Sequence, residues 1–294
     1  MRIVLTGGTG FLGRHLVTFL KALGHDTILI QRSDTMEGTY RISKLIKSSD
    51  VLINLAGSPV IKRWTTSNKS EMLSSRLRTT KLLVDSIMEL NPEERPSLFL
   101  SASAIGIYDS QGFHTELSES FDDNFLSEVC KKWEGALEPL KSTNIRLGIM
   151  RIGIVLGKEG GMLKQIIPLF KAGLGGKIGS GMQPFSFIHY LDFCRAVEYL
   201  VEHEHCKGVF NMTAPKISTN SEFTRILSNA CRRPALFAVP VIALKLVYGK
   251  ASIVLTHGQK AYPENLLNSG FKFQFPDLTS AIQDIMQNLS QVKR

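Results

Sequence analysis

The sequence predicts a doubly wound α/β fold, a parallel sheet with helices on both faces, and three observations carry that reading. An apolar run, Arg2–Thr6, passes through a glycine turn straight into apolar residues at helical spacing. Strand-like and helix-like segments then alternate as far as Ile152, the pattern of parallel strands joined by crossover helices. A third strand-like run, Val51–Leu55, reads as buried.

The elements follow in order. Phe11, Leu12, Leu16, Phe19, Leu20 and Leu23 recur at helical spacing and are closed by Gly24, a helix with a glycine stop. Thr27–Ile30 is the next strand, and Val51–Leu55 runs into the turn Asn54-Leu55-Ala56-Gly57. Met72, Leu73, Leu77, Leu82, Leu83 and Ile87 mark a helix, Ser97–Leu100 a fourth strand, residues 123–140 a long helix and Ile145–Ile152 a fifth strand. Sheets of this class bind ligands at the carboxyl ends of their strands, where the first glycine turn, the Asn54 turn and the Ser101 turn would gather. From residue 157 the pattern loses regularity and gains glycine. The expected division is a nucleotide-binding half, 1–156, and a smaller α/β substrate lobe with a C-terminal region, 157–294, the two free to interleave.

The 294 residues are 43% apolar and 21% charged, enough to bury a large core. Met1–Thr6 enters the first strand at once, which leaves no room for a signal peptide and gives the expectation of a cytoplasmic protein. Cys130, Cys194, Cys206 and Cys231 form no C-x-x-C pair and read as reduced thiols. The longest apolar stretch, Ala235–Leu255, is broken by Pro240, Lys245, Gly249 and Lys250, so it reads as an amphipathic core helix in preference to a membrane-surface or partner-docking one. The net charge of +9 is uneven: residues 1–150 hold 18 Lys and Arg against 17 Asp and Glu, and residues 151–294 hold 17 against 9. A basic second half suits an anionic small-molecule substrate, or is simply a solvated basic surface. Scattered charges without interleaved aromatics argue against nucleic acid. The expected partners are a small molecule and a second copy in a homodimer, with no membrane.

Gly7, Gly10 and Gly13, in Thr6-Gly7-Gly8-Thr9-Gly10-Phe11-Leu12-Gly13, follow an N-terminal strand and open an amphipathic helix. In that context glycine allows the tight turn, and the backbone amides of Thr9, Gly10, Phe11, Leu12 and Gly13 approach a pyrophosphate at the positive end of the helix dipole. This is a Rossmann dinucleotide site. The second strand ends in Gln31-Arg32-Ser33, and Arg14 follows Gly13. An acid at that strand end would bind a ribose hydroxyl and a base a 2′-phosphate, so Arg32 and Arg14 select NADP(H). Asp34 comes late for the ribose contact.

These residues resemble the extended short-chain dehydrogenase/reductase superfamily of NAD-dependent epimerases and dehydratases, through TGGTGFLG at 6–13, NLAG at 54–57, SASA at 101–104 and Arg151-Ile152-Gly153. GGML at 160–163, SFIHYLD at 186–192, VFNMTAP at 209–215 and NLLNSGFKFQFPDL at 265–278 resemble the YfcH-like epimerase family proteins, which carry their own C-terminal domain. The resemblance implies that Ala56 and Gly57 line the adenosine side, that Ser101 and Arg151 border the cofactor, that Gly153 lies near the nicotinamide amide and that Ser103 bonds the reacting oxygen. The family's Tyr-x-x-x-Lys pair is missing: Cys130-Lys131-Lys132-Trp133-Glu134 stands in its place. Ser103 therefore joins two candidates in the catalytic set. Glu134 is a carboxylate base if burial raises its pKa, and Tyr108, four residues past Ala104, is the remaining phenol at the mouth of the site.

Glu202-His203-Glu204-His205-Cys206 has ligand-type residues but not one helical face, and reads as a solvated turn. No metal is expected. Asp192 reads as a helix cap ahead of a ligand role. The function expected is an NADP(H)-dependent oxidoreductase or nucleotide-sugar epimerase-like enzyme. The alternative is a non-catalytic protein that senses NADP(H) and presents an interaction surface.

Overall fold

The computed structural model describes residues 1–291. Six strands form the central sheet: β1 (Arg2–Thr6), β2 (Asp26–Ile30), β3 (Val51–Asn54), β4 (Leu98–Ala104), β5 (Arg146–Ile152) and β6 (Gly208–Met212). They lie in the order β6-β5-β4-β3-β1-β2, and every pairing is parallel. The main helices are α1 (Phe11–Ala22), α2 (Thr66–Met88), α3 (Phe125–Gly135), α4 (Gly161–Lys171), α5 (Tyr190–Glu202), α6 (Asn220–Cys231), α7 (Val241–Tyr248) and α8 (Leu278–Gln291). From β1 the chain steps outward to β2 and returns past β1 to β3, so the winding reverses between β1 and β3. A crevice opens at such a reversal.

Successive side chains of a strand point to opposite faces, and both faces here are covered. Ile3 and Leu5 of β1 pack with Leu16 and Leu20 of α1 and with Phe193 and Val197 of α5. Val4 points the other way, into Ile42, Ile46, Leu83 and Ile87. Each such aliphatic side chain contributes about 1.5–3 kcal/mol on burial. Two-sided burial is why β1 reads as an unbroken apolar run.

The stretch after residue 157 returns twice to this sheet. β6 pairs with β5, Val209 opposite Ile149 and Asn211 opposite Arg151, and α5 covers the α1 face. The guanidinium of Arg146 fixes this junction by donating to the carbonyls of Leu200, Val201, His203 and Cys206 at 2.6–3.0 Å. A cation there also meets the negative end of the α5 dipole. The remaining segments build a second core from α4, α6 and α8, with Phe185 stacked on Phe223 at 4.4 Å.

Four expectations are corrected. β4 runs on to Ala104 instead of stopping at Leu100, because Ser101 and Ser103 keep ladder register with Ile149 and Arg151. The long helix at 123–140 ends at Gly135 and gives way to a 3₁₀ turn, Glu138–Ser142, since Pro139 cannot donate to the helical ladder. The 202–206 run is not a solvated turn throughout: Cys206 is buried, and the His203 ring stacks 3.7 Å from Tyr199. The apolar stretch at 235–255 is not a core helix, for none of the residues of α7 is buried.

Asp192 does not cap α5. That place belongs to His189, whose Nδ1 accepts from the Leu191 amide at 3.2 Å. Asp192, fully buried, accepts from the amides of Gln274 at 2.9 Å and Phe275 at 2.7 Å and from Arg195 at 2.8 Å. It thereby ties the segment ahead of α8 to α5. Asp192→Ala should lower the unfolding free energy by about 2–3 kcal/mol, the cost of stranding buried donors, read from urea titration. Faster amide exchange at Gln274 and Phe275 would locate the loss.

His189 is fully buried, and burial, with the nearby His15, pulls its pKa down to about 3. The unfolded chain therefore binds a proton below pH 6.5 that the folded chain refuses until pH 3. Stability should fall as pH drops through that window, by roughly 1.4 kcal/mol per unit from this side chain. In His189→Asn, which keeps a capping oxygen, urea midpoints between pH 7 and pH 4 should have a shallower slope than in the wild type.

Candidate functional site

The carboxyl ends of β1 and β3 meet at Gly7, whose φ is +71°. A Cβ on Gly7 would sit 2.7 Å from the Leu55 carbonyl, and one on Gly13 2.2 Å from the Gly7 oxygen. Only glycine lets the turn fold this tightly against the β3 backbone and then enter α1. Gly10 caps α1 with no side-chain hydrogen bond, and no acid occupies the first turn. The amides of Phe11, Leu12 and Gly13 thus present an anion cradle. Arg14 is exposed and donates to the Thr9 carbonyl at 3.1 Å, lying across the turn. Phe11 packs beneath the loop at 157–161, where a Cβ on Gly160 would come within 2.3 Å of its ring.

At the end of β2, Arg32 is exposed and Asp34 is not available to a ligand. The Asp34 carboxylate accepts from the Gln31 amide and from Arg41 Nε, both at 2.8 Å, and these bonds, the backbone one foremost, hold it below the usual carboxylate pKa.

Under the crevice runs a chain of hydrogen bonds that the sequence reading missed. Thr6 Oγ1 donates to Asn54 Oδ1 at 2.7 Å, Asn54 Nδ2 to Thr80 Oγ1 at 2.9 Å, and Trp133 Nε1 to the same Thr80 oxygen at 2.9 Å. It ties β1, β3, α2 and α3 together. Ser101, expected at the cofactor, is fully buried within Asn54 Nδ2 reach at 3.5 Å; it supports the crevice floor and does not line it. Ala56 keeps its amide on Asn54 Oδ1 at 3.3 Å. At Gly57 the missing side chain admits the guanidinium of buried Arg76, 3.1 Å from where a Cβ would be. Arg76 donates to the carbonyls of Met72 and Ser58 at 2.9 and 3.0 Å. Its spacing, one turn after Met72 on the apolar face of α2, was the available signal.

Ser103, Glu134, Tyr108 and Arg151 form one cluster. Ser103 Oγ donates to Glu134 Oε1 at 2.6 Å. Arg151 grips the same carboxylate with Nε at 2.9 Å and Nη2 at 2.8 Å, and gives Nη1 to the Tyr108 hydroxyl at 2.8 Å. Tyr108 in turn donates to Asn211 Oδ1 at 2.9 Å. Burial opposes the charge on Arg151, but the Glu134 hydrogen bonds and charge outweigh it and raise the guanidinium above its ordinary pKa.

Three expectations change here. Arg151 is committed to Glu134 and does not border the cofactor as a free cation. Tyr108 is fully buried, stacked 4.8 Å from His114, and not at the mouth of the site; burial raises its pKa despite Arg151. Glu134 is not a lone desolvated carboxylate but half of an ion pair, its side chain 14% exposed. Cys130 is buried beside it, its thiol pushed up to about 11 by desolvation and by the Glu134 charge. Gly153 fits where a Cβ would strike Thr213 at 2.8 Å and the Ser186 carbonyl at 2.9 Å. Asn211, also missed, was marked by its place as the one amide in the apolar run Val209–Met212.

A sheet of this order, with a glycine cradle at its reversal and a Ser103 cluster on the adjoining strand, defines a nucleotide-binding α/β protein. Residues 3–213 match the NAD dependent epimerase/dehydratase family model, and residues 239–285 match a domain of unknown function. The chain belongs to the NAD dependent epimerase/dehydratase family. It is 35% identical over 301 residues to mouse epimerase family protein SDR39U1, covering 97% of this chain and all of that one. It is 36% identical over 305 residues to the chloroplastic SDR39U1 homolog of Arabidopsis thaliana, covering 98% of this chain and 87% of that one. The crystal structure of human SDR39U1 with NADPH superimposes with a TM-score of 0.91 at 32% identity, over 98% of this chain and 100% of that chain.

Arg151→Met should destabilise the fold by about 2–3 kcal/mol, less than the loss of a fully buried partner because Glu134 keeps some solvent. The double variant Arg151→Met, Glu134→Gln should recover most of it. A double variant no more stable than the single one would show that the pair is not what matters at this position.

Proposed function

We propose that this chain is an NADP(H)-dependent enzyme of the epimerase or oxidoreductase type that acts on a small molecule in the cytoplasm, with Ser103 and Glu134 handling the proton. The Ser103–Glu134 hydrogen bond of 2.6 Å is the observation that carries the reading. The glycine cradle fits a pyrophosphate, exposed Arg32 and Arg14 fit a 2′-phosphate, and Asp34 is too occupied to favour a ribose diol. The cofactor of the human relative, NADPH, agrees with that donor set.

Bound there, the nicotinamide would supply or accept hydride. The chain's own task is the proton. A substrate hydroxyl donating to Ser103 Oγ lets Ser103 pass its own proton to Glu134 Oε1, and the return path protonates a carbonyl oxygen. Arg151 fixes the carboxylate in place through two hydrogen bonds, so the accepting oxygen does not wander from Ser103. Cys130, held neutral by burial, takes no part in the transfer.

The rival reading, a non-catalytic NADP(H) sensor, is favoured by one observation: both oxygens of the Glu134 carboxylate are already occupied by Arg151. Turnover decides between them. Ser103→Ala and Glu134→Gln should each slow hydride transfer about 10²–10⁴-fold while NADPH affinity stays within about twofold, followed by nicotinamide fluorescence over a panel of nucleotide sugars and simple hydroxy compounds. Wild-type rates in both variants would remove the relay. Tight NADPH binding without turnover on any substrate would establish the sensor.

The cofactor assignment has its own test. Arg32→Ala should weaken NADPH binding by about 1.5–3 kcal/mol, the worth of a charge-assisted bond, and leave NADH binding unchanged. Equal affinity of the wild type for the two would overturn it.

A further inference from the structure

Helix α7 is apolar nearly all round, Val-Ile-Ala-Leu-Lys-Leu-Val-Tyr, yet none of its residues is buried. Ile242, Leu246 and Val247 are 72%, 73% and 61% exposed, and Leu236 and Phe237 just ahead of them 79% and 73%. The strand Phe237–Val239 pairs with Gly176–Ile178, which brings Leu174, 69% exposed, to the same part of the second lobe. Large apolar side chains left this exposed along one segment and its paired strand mark an interaction site.

The sequence around these segments is one-sided in charge. Residues 160–191 and 223–263 contain nine Lys and Arg and no Asp or Glu, as many charges as the net +9 of the whole chain. All nine are exposed. Lys171 and Lys177 flank Leu174 in the sequence, Arg232 and Arg233 precede Leu236, and Lys245 and Lys250 lie within and just after α7.

The two properties together select the occupant. A second copy of the chain would set like charges against like charges. A nucleic acid would answer the cations but leave the aliphatic side chains unmet. Among the described residues no helix is long and apolar enough to cross a membrane, and α7 itself has eight residues. An anionic bilayer surface matches both: acyl chains accept the Leu, Ile and Phe side chains and lipid phosphates the Lys and Arg. We propose that this face of the second lobe, with α7 at its centre, docks on the surface of an anionic membrane. Gly249, just past α7, approaches Arg63 in the loop after β3, so the docking face lies beside that loop, which follows one wall of the crevice.

The experiment uses the full-length, tag-free protein and sedimentation with vesicles of phosphatidylcholine alone or with about 30% phosphatidylglycerol, an anionic content high enough to give a strong surface potential. Binding should be at least about tenfold stronger to the anionic vesicles and should fall several-fold when salt rises from about 50 to about 500 mM. The double variants Phe237→Ser, Leu246→Ser and Lys245→Glu, Lys250→Glu should each lose vesicle binding with thermal melting unchanged. No binding to anionic vesicles, or equal binding to both kinds, would overturn the proposal. So would a stable dimer in light scattering that the Phe237→Ser, Leu246→Ser variant dissolves, which would make the face a self-association surface. Binding to an oligonucleotide that these apolar substitutions leave intact, in place of vesicle binding, would reassign the cations to nucleic acid.

Discussion

The ion pair between Glu134 and Arg151 is the constraint around which the site is arranged. A carboxylate on α3 and a guanidinium on β5, both largely out of water, are tolerable only with each other and with their remaining hydrogen-bonding groups satisfied. Ser103 fills one such position on Glu134, and Tyr108 another on Arg151. Asn211 on β6 then accepts from Tyr108 and gives its own amide to the Tyr262 carbonyl at 2.9 Å. Removal of any member strands a buried donor or acceptor, so strands β4, β5 and β6 and helix α3 are held in one relative position by polar contacts as much as by packing.

That arrangement also inverts the electrostatics of the family's usual site. A Tyr and a Lys would place a titratable phenol beside an ammonium. In their stead stand a thiol kept neutral and a carboxylate whose charge Arg151 cancels. The phenol of Tyr108 is sealed beneath the crevice by His114 and Phe121, the latter ring centred 6.2 Å away. In the function proposed above, Ser103 and the Glu134–Arg151 pair stand in place of the Tyr–Lys couple, with the carboxylate fixed in position by two hydrogen bonds.

Much of the fold was legible because both faces of the sheet are buried: the runs at 2–6 and 51–55 are apolar enough to be read without knowing their neighbours, and the glycine turn follows from its place between strand and helix. β6 was not recognised as part of the sheet, since Val209–Met212 lies beyond a glycine-rich stretch and its partner, β5, is more than 50 residues earlier. Local pattern holds no information about such pairing. The same limit applies to the site. Ser103 and Glu134 were each visible as candidates, but that Arg151 would join them, and that Tyr108 would turn inward, depends on a contact between α3 and β5 that no spacing encodes. Burial of Arg76 and Asn211 left a faint mark, a polar residue at an apolar position.

The stretch at 235–255 was misread for a physical reason worth separating from these. Hydrophobicity indicates that a segment avoids water; it does not say what relieves it. Ala235–Leu255 is as apolar as a core helix, and on that ground alone burial in the protein is the natural inference. The distinguishing feature is charge. Both stretches that meet at the Phe237–Val239 pairing are free of acids in the sequence, so the exposed apolar side chains are accompanied by exposed cations alone within them. Uneven charge between the two halves of the chain, first attributable to an anionic substrate, thus falls largely on exposed residues of these two acid-free stretches, whereas the polar cluster where the chemistry is proposed is buried.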